Sequence, residues 1–214
     1  MRKERFAEDN FYHIYSRGVD KRHVFLNDSD RVRFINSLYI FNSFQDIPPR
    51  FNVFTLEPRD FLTPTDSRVD IHAACLMPSH YHLMVSQKRE GGISALLHKI
   101  GTSYTKYFNR KYDRTGRLFE STFKAKLVDR EEYASYLTQY IHLNPAELFQ
   151  AKLGTEEGFE KVAKYAWSSL PDYTGRRSRI SLILSGQLMQ NVLEINPEQY
   201  LESVRKLYNE LYQA

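Results

Sequence analysis

Met77-Pro78-Ser79-His80-Tyr81-His82-Leu83-Met84-Val85 is the stretch whose reading decides the fold. Met77-Pro78-Ser79 reads as a kink or turn, and a β-prone run follows it. Successive strand side chains point to opposite faces, so His80 and His82 emerge on one side. Tyr81, Leu83 and Val85 go to the other side and are apolar enough to be buried. Two imidazoles so spaced can hold adjacent positions on one metal ion. An isolated His-x-His also fits two half-exposed histidines on a sheet, so the rest of the chain has to separate the readings.

Working outward, Ile71 to Leu76 is a strand leading into the turn, and Gly91-Gly92 breaks the chain after the histidine strand. Phe11 to Arg17 alternates and is β-prone, closed by Gly18. Asp28 or Ser29 is the expected cap of a helix from about Asp30 to Phe44, with Val32, Ile35, Leu38 (or Tyr39) and Phe41 at helical spacing. Pro48-Pro49 ends it, Phe51 to Leu56 is a further strand, and the polar run with Pro58, Pro64 and Asp66 is an insertion. Ser94 to Tyr112 is a long amphipathic helix with Leu96, Leu97, Ile100, Tyr104 and Phe108 inward. Phe123 to Val128 is the last strand. Asp129 with Glu132 reads as a capping box opening a helix that carries Tyr133, Tyr136, Leu137, Tyr140 and Ile141, stopped at Asn144-Pro145. This order predicts an α+β fold, a mainly antiparallel sheet with helices on one face on a ferredoxin-like plan. Residues 1–153 form the main domain. Residues 154–214 form a helical appendage packed on it, helical from Ile180 onward with a stripe of Leu201, Val204, Leu207, Tyr208 and Leu211.

The chain has 214 residues, enough for a core of its own. Tyrosine is abundant, 15 against one Trp, and it suits wet, half-buried surfaces and stacking on bases. Net charge is +4 overall. Between Ile93 and Arg130, however, nine Lys/Arg face three acids, a local +6 that exceeds the total. That concentration points to a polyanionic partner rather than to a solvated face of mixed sign. A single Cys75 excludes an internal disulfide framework. Met1 to Asn10 is charged and no apolar run approaches about 20 residues, so a cytoplasmic protein without a membrane span is expected.

The chemistry narrows by elimination. No Cys-x-x-Cys and no His-Glu-x-x-His occurs, so a zinc ribbon and a common metalloprotease are unsupported. The Gly-Gly before the long helix lacks P-loop spacing. No Gly-x-Ser-x-Gly appears. Tyrosine remains as a nucleophile, competent on phosphorus where a metal polarises the phosphate.

The residues also resemble a family. Met-Pro-Ser-His-Tyr-His-Leu-Met-Val is similar to the signature of the single-tyrosine HUH transposases (IS200-like), nearest to their REP-associated (RAYT) branch. Tyr12 to Gly18, His72-Ala73, Tyr107 to Tyr112, Gly116 to Glu120, Phe123-Lys124-Ala125, Glu132-Tyr133, Tyr140-Ile141-His142-Leu143-Asn144-Pro145 and Trp167-Ser168-Ser169 agree in order. The resemblance covers roughly Asn10 to Gly175. It implies a HUH nuclease fold that cleaves and rejoins single-stranded hairpin DNA through a covalent 5′-phosphotyrosine. His80 and His82 would hold Mg²⁺ or Mn²⁺, and Tyr133 would be the nucleophile, with Tyr136 the alternate. Some relatives place a third ligand four residues after the tyrosine. Counted from Tyr133 that position is Leu137, which cannot ligate, so Gln139 or His142 stands as substitute, or water completes the shell. Thr122 replaces an Arg found in many relatives. His13 and His72 are read as structural neighbours of the site.

The expected DNA path follows Lys99, Lys106, Arg110, Lys111, Arg114, Arg117, Lys124 and Lys126, with Arg17, Lys21 and Arg22 near the first loop for hairpin recognition. A homodimer is left open. Two other readings compete: a domesticated hairpin-binding protein without cleavage, and a metal-dependent phosphoesterase that uses water.

Overall fold

Alternation in Phe11–Arg17 (β1) sends Tyr12 and Ile14 to one face of a sheet and His13, Tyr15 and Arg17 to the other. In the computed structural model, which describes residues 6–8, 10–44, 66–185 and 196–213, β1 pairs antiparallel with His80–Gln87 (β3), which in turn pairs antiparallel with Val69–Met77 (β2). On its other side β1 pairs with Lys124–Val128 (β4), giving the order β2-β3-β1-β4. This is the ferredoxin-like α+β arrangement that the sequence leads one to expect. The expected strand at Phe51 to Leu56 lies outside the described residues, as does Pro48-Pro49.

Pro78-Ser79 makes a two-residue hairpin between β2 and β3, and its carbonyls anchor the chain leaving β1. Gly18 donates to the Ser79 carbonyl at 2.8 Å, and Val24 and Phe25 donate to that of Pro78 at 2.8 and 3.0 Å. A Cβ at position 18 would collide with the Arg22 carbonyl oxygen and the Val24 side chain. The close approach therefore selects glycine.

Asp28–Asn42 (α1) and Gly92–Lys111 (α2) cover the face that carries Ile14, Leu83 and Val85. The expected inward set of α2 is buried throughout. α1 departs from expectation in two ways. Its cap is Asn27, whose side chain accepts from the Asp30 N–H, rather than Asp28 or Ser29. Val32 is also 42% exposed while Phe34, Ile35 and Leu38 fill the core. Asp30 explains the cap, because its own carboxylate is used elsewhere. It is fully buried and accepts from Lys111 Nζ (2.6 Å), Tyr107 (2.9 Å) and Tyr112 (2.8 Å) on the last turn of α2 and just beyond, and from the Leu26 N–H (2.9 Å). Burial pushes the carboxyl up, but those donors outweigh it and hold the group below its ordinary 3.8.

Glu131–Leu143 (α3) lies across the opposite face, an addition to the expected plan of helices on one face. Leu137 and Ile141 pack there on Ala73, Cys75, Met77, Met84 and Val128. Its cap is Arg130, without a side-chain cap bond, because a guanidinium has no acceptor to offer the first-turn N–H groups. The Asp129 capping box is not formed. The chain then continues in 3-10 turns through Asn144–Lys152.

Glu156–Ala163 (α4), Leu170–Tyr173 (α5) and Pro197–Tyr212 (α6) build a second core around Phe159, Tyr173, Tyr200, Val204 and Tyr208. In α6, Tyr200 joins Val204, Leu207 and Tyr208 inward, while Leu211 is 42% exposed. Between α5 and α6 the described chain holds only a 3-10 turn, Ser181–Ile183. The continuous helix expected from Ile180 is not formed there. Trp167, Ile180 and Ile183 belong to the sheet core, and backbone bonds run from Leu76 to Trp167 and from Ser169 to Ala74. The segment thus covers the outer edge of β2.

A buried histidine ties these parts together. His142 Nδ1 bonds the Tyr200 hydroxyl at 2.8 Å and Nε2 bonds Ser169 Oγ at 2.7 Å, while the Ala74 N–H donates to Ser169 Oγ at 3.0 Å. Burial lowers the His142 pKa to about 3, so the ring is neutral.

Two outcomes follow from these contacts. Asp30→Asn should cost about 3 kcal/mol in urea unfolding, as for a broken buried pair. A carboxyl lowered on folding contributes stability above its unfolded value and loses it as pH falls through the folded one. The acid loss of stability should therefore be shallower in Asp30→Asn than in the wild type. Tyr200→Phe leaves His142 Nδ1 unpaired and should cost about 1–3 kcal/mol in the same measurement.

Candidate active site

The β1–β3 register places Arg17 opposite His80 and Tyr15 opposite His82, all on the face under α3. Both histidines are buried, with ring centroids 5.1 Å apart and planes at 83°. They form the floor of a cavity of about 510 Å³. Its walls come from His13, Tyr15 and Arg17 of β1, Lys124 and Lys126 of β4, and Glu120 with Ser121 of the loop before β4. Tyr133, Tyr136, Leu137 and Tyr140 of α3, with Asn144 and Glu147 beyond it, complete them.

Each histidine is held by neighbours. His82 Nδ1 shares a hydrogen bond with His13 Nε2 at 2.8 Å, a diagonal cross-strand pair. His80 Nδ1 bonds Ser79 Oγ at 3.0 Å, and the Asn144 side chain lines the same cavity beside the His80 ring. Burial lowers the His80 pKa, with Glu147 and Asn144 opposing and Arg17 assisting. Burial also lowers that of His82 well below 6.5, with His13, His80 and Arg17 adding to it. Both rings are thus neutral near pH 7, the form that ligates metals.

The donor set fits a divalent cation: two neutral imidazoles, the Asn144 amide beside one of them, and a cavity open to water and phosphate oxygens. Among the described residues no group of three or more His, Cys, Asp or Glu is placed to hold a metal. A third protein donor would therefore be the Asn144 amide. Neither residue suggested for that role reaches the cavity. Gln139 donates to Ser203 Oγ at 3.3 Å, and both ring nitrogens of His142 are taken by Tyr200 and Ser169.

Three tyrosine rings line α3 toward the cavity, in near-parallel steps of 6.4 Å (Tyr133–Tyr136) and 6.5 Å (Tyr136–Tyr140). Tyr133 lies against Lys126, whose Nζ is 4.7 Å from the ring centroid. Tyr140 is at the other end, its ring 6.2 Å from that of His82. Tyr140 and Asn144 are one turn apart and share a face. Asn144 Nδ2 donates to the Tyr140 carbonyl at 2.9 Å, which fixes the amide beside the histidines. Burial, Glu147, Tyr136 and Tyr15 raise the Tyr140 pKa, with Arg17 opposing, so the phenol is protonated.

Of the residues expected on the DNA path, Arg17, Lys124 and Lys126 line the cavity. Lys99, Lys106 and Arg110 are exposed on the outer side of α2, across the sheet from it. Lys111 is committed to Asp30. Arg114 donates to Asn109 Oδ1 at 2.9 Å. Arg117 sits exposed in the loop after α2, and Lys21 and Arg22 in the turn after β1, where Arg22 pairs with Asp20. Asn144, Tyr140, Glu120 and Glu147 were not singled out from the sequence. A signal for the first two was present, since a donor four residues after a tyrosine occurs at Tyr140–Asn144 and not at Tyr133–Leu137.

Comparison with known proteins agrees with the resemblance. A family model described as transposase IS200 like matches residues 63–144, the span with both histidines, the three tyrosines and Asn144. No curated protein matches the chain. Among solved structures, a REP-associated tyrosine transposase bound to a REP hairpin is similar, at 14% identity and a TM-score of 0.52. That likeness covers 82% of this chain and 86% of that one and is a likeness of fold. Among the described residues no helix is long and apolar enough to cross a membrane.

Proposed function

We propose that this chain is a single-strand DNA transposase of the IS200-like, REP-associated kind, cleaving and rejoining hairpin-bearing DNA through a phosphotyrosine on Tyr140. The observation that carries this reading is the meeting of Tyr140 and Asn144, one turn apart at the end of α3, with His82 and His80. Tyr133, the nucleophile suggested by the sequence, is seven residues and so about 10 Å back along the helix axis. Tyr136 stands between them.

The reaction asks the Tyr140 oxygen to form a bond to phosphorus while the bond from phosphorus to the 3′ oxygen breaks. The phosphate stays with the 5′ end on the tyrosine, the 3′ oxygen leaves as a hydroxyl, and the phenolic proton passes to it by way of solvent. Rejoining is the reverse, with a 3′-OH attacking and the phenol leaving. His80, His82 and Asn144 would hold Mg²⁺ or Mn²⁺, which when bound polarises the scissile phosphate and eases ionisation of a phenol otherwise held protonated. Arg17, Lys124 and Lys126 meet flanking phosphates and set the register of the strand. A hairpin substrate is supported by the fold shared with a protein seen bound to one. We read residues 1–153 as the unit that does the chemistry and 154–214 as a strap that seats α3 through His142.

The test is covalent capture on a denaturing gel. Labelled single-stranded DNA carrying the hairpins that flank the gene is incubated with Mn²⁺ and the wild type, Tyr140→Phe, Tyr133→Phe or Tyr136→Phe. Adduct and cleavage should fall by about 10⁴-fold or more in Tyr140→Phe alone. Loss in Tyr133→Phe instead would return the nucleophile to that residue. Tight hairpin binding with no adduct in any protein would replace the enzyme by a binding protein. Cleavage surviving all three changes would indicate water as the nucleophile. Lys124→Ala and Lys126→Ala should each lower the salt slope of DNA binding by about one.

A further inference from the structure

His13 is bound to the candidate metal centre yet is not placed to ligate with the nitrogen that faces it. Its Nε2 lies 2.8 Å from His82 Nδ1, both rings are buried, and the planes are nearly parallel at 23°. A hydrogen bond between two neutral imidazoles holds a single proton, and two arrangements of it are possible. In one, His82 Nδ1–H donates to His13 Nε2, and His82 Nε2 keeps a lone pair for the cavity. In the other, His13 Nε2–H donates, and His82 then carries its proton on Nε2, where it cannot ligate.

We propose that His13 is a positioning residue that accepts the Nδ1–H of His82 and so fixes both the tautomer and the orientation in which His82 binds a divalent cation. The idea rests on the reading of His82 as a ligand given above. In many metal sites the partner of the second ring nitrogen is a carboxylate or a carbonyl. Here no acid of the described chain takes that place, and a third histidine fills it from the neighbouring strand.

The surroundings of His13 suit an acceptor. Lys126 is its cross-strand partner on β4 and disfavours a second positive charge, and the Tyr15 ring packs 4.9 Å from it. Register sets up the contact: His13 sits opposite Met84 and diagonal to His82, which brings the two rings within reach when β1 and β3 pair correctly.

Two measurements on the full-length protein test this. The tautomer of His82 is read from ¹⁵N chemical shifts of the metal-free wild type, where Nδ1–H is expected. Mn²⁺ affinity is read by electron paramagnetic resonance for the wild type, His13→Leu, His13→Gln, His82→Ala and the double variant His13→Leu/His82→Ala. His13→Leu should bind Mn²⁺ about 10- to 100-fold more weakly. His13→Gln, whose Oε1 can accept the same proton, should recover most of the loss. The double variant should be no weaker than His82→Ala. An Nε2–H tautomer in the wild type, equal affinity in His13→Leu, or losses that add in the double variant would overturn the role. If His13→Leu does not fold, the wild-type tautomer and the Gln variant still decide. Absence of Mn²⁺ binding by the wild type would instead overturn the metal site of the proposed function, and the positioning role with it.

Discussion

Pairing of β1 with β3 in a single register is the constraint on which the rest of this molecule depends. Side chains alternate along each strand, so a slip by one residue would send Ile14 and Leu83 to the wet face and the histidines into the aromatic core. The register is secured outside the ladder, where Gly18, Val24 and Phe25 donate to the Ser79 and Pro78 carbonyls. The hairpin that starts the histidine strand is therefore also the anchor of the loop after β1. Arg17 is held opposite His80, and His13 diagonal to His82, by the same bonds.

The two faces of the sheet are stabilised by different means. On the α1–α2 side a continuous aromatic and aliphatic core does most of the work. Two buried charged groups of α1 reach α2: Asp30 joins its first turn to the end of α2, and Arg33 bonds Ser103. On the α3 side the apolar contact is small: Leu137 and Ile141 on Ala73, Cys75, Met77, Met84 and Val128. The difference follows from function as proposed, because that face must leave room for the cavity. The missing apolar area is offset from behind by α6 and the residues before α5, acting through the buried, fully satisfied His142. A helix that presents a nucleophile needs a fixed seat more than a deep one, and directional hydrogen bonds supply that better than apolar burial.

Much of the fold was legible because its periodicities are strong. β1, β3 and α2 follow alternation or helical spacing closely, and the two-residue turn was marked by Pro78-Ser79. The caps were less legible for a physical reason. Asn27, Asp28 and Ser29 are all competent caps, and only the tertiary use of Asp30 decides among their positions. α3 begins at Glu131 with Arg130 at the cap, one residue later than the box requires, so Asp129 stands outside the cap position. Charge misled in a similar way. The basic excess of residues 93–130 is real in the sequence, but α2 packs on one side of the sheet while the β4 lysines project from the other, and the excess divides between them. Lysines on β4 alternate onto the cavity face, whereas those of α2 face solvent on the far side. Lys111 has its charge consumed by a carboxylate.

The nucleophile shows most clearly where a sequence stops being informative. Tyr133, Tyr136 and Tyr140 repeat at helical spacing and all line one cavity, so composition and periodicity rank them equally. Position along the helix separates them, since each residue advances α3 by about 1.5 Å and it is the Tyr140 ring that lies 6.2 Å from that of His82. On the proposed reading, a phosphate held at His80 and His82 faces the end of the helix, where the Tyr140 ring stands. Asn144 strengthens that distinction independently. On the same reading, a side-chain amide one turn beyond Tyr140, on the cavity shared with His80, supplies what Leu137 cannot supply for Tyr133. The remaining two rings, near-parallel and with Tyr133 beside Lys126, then line the approach to the reacting phosphate, on that reading, rather than react with it.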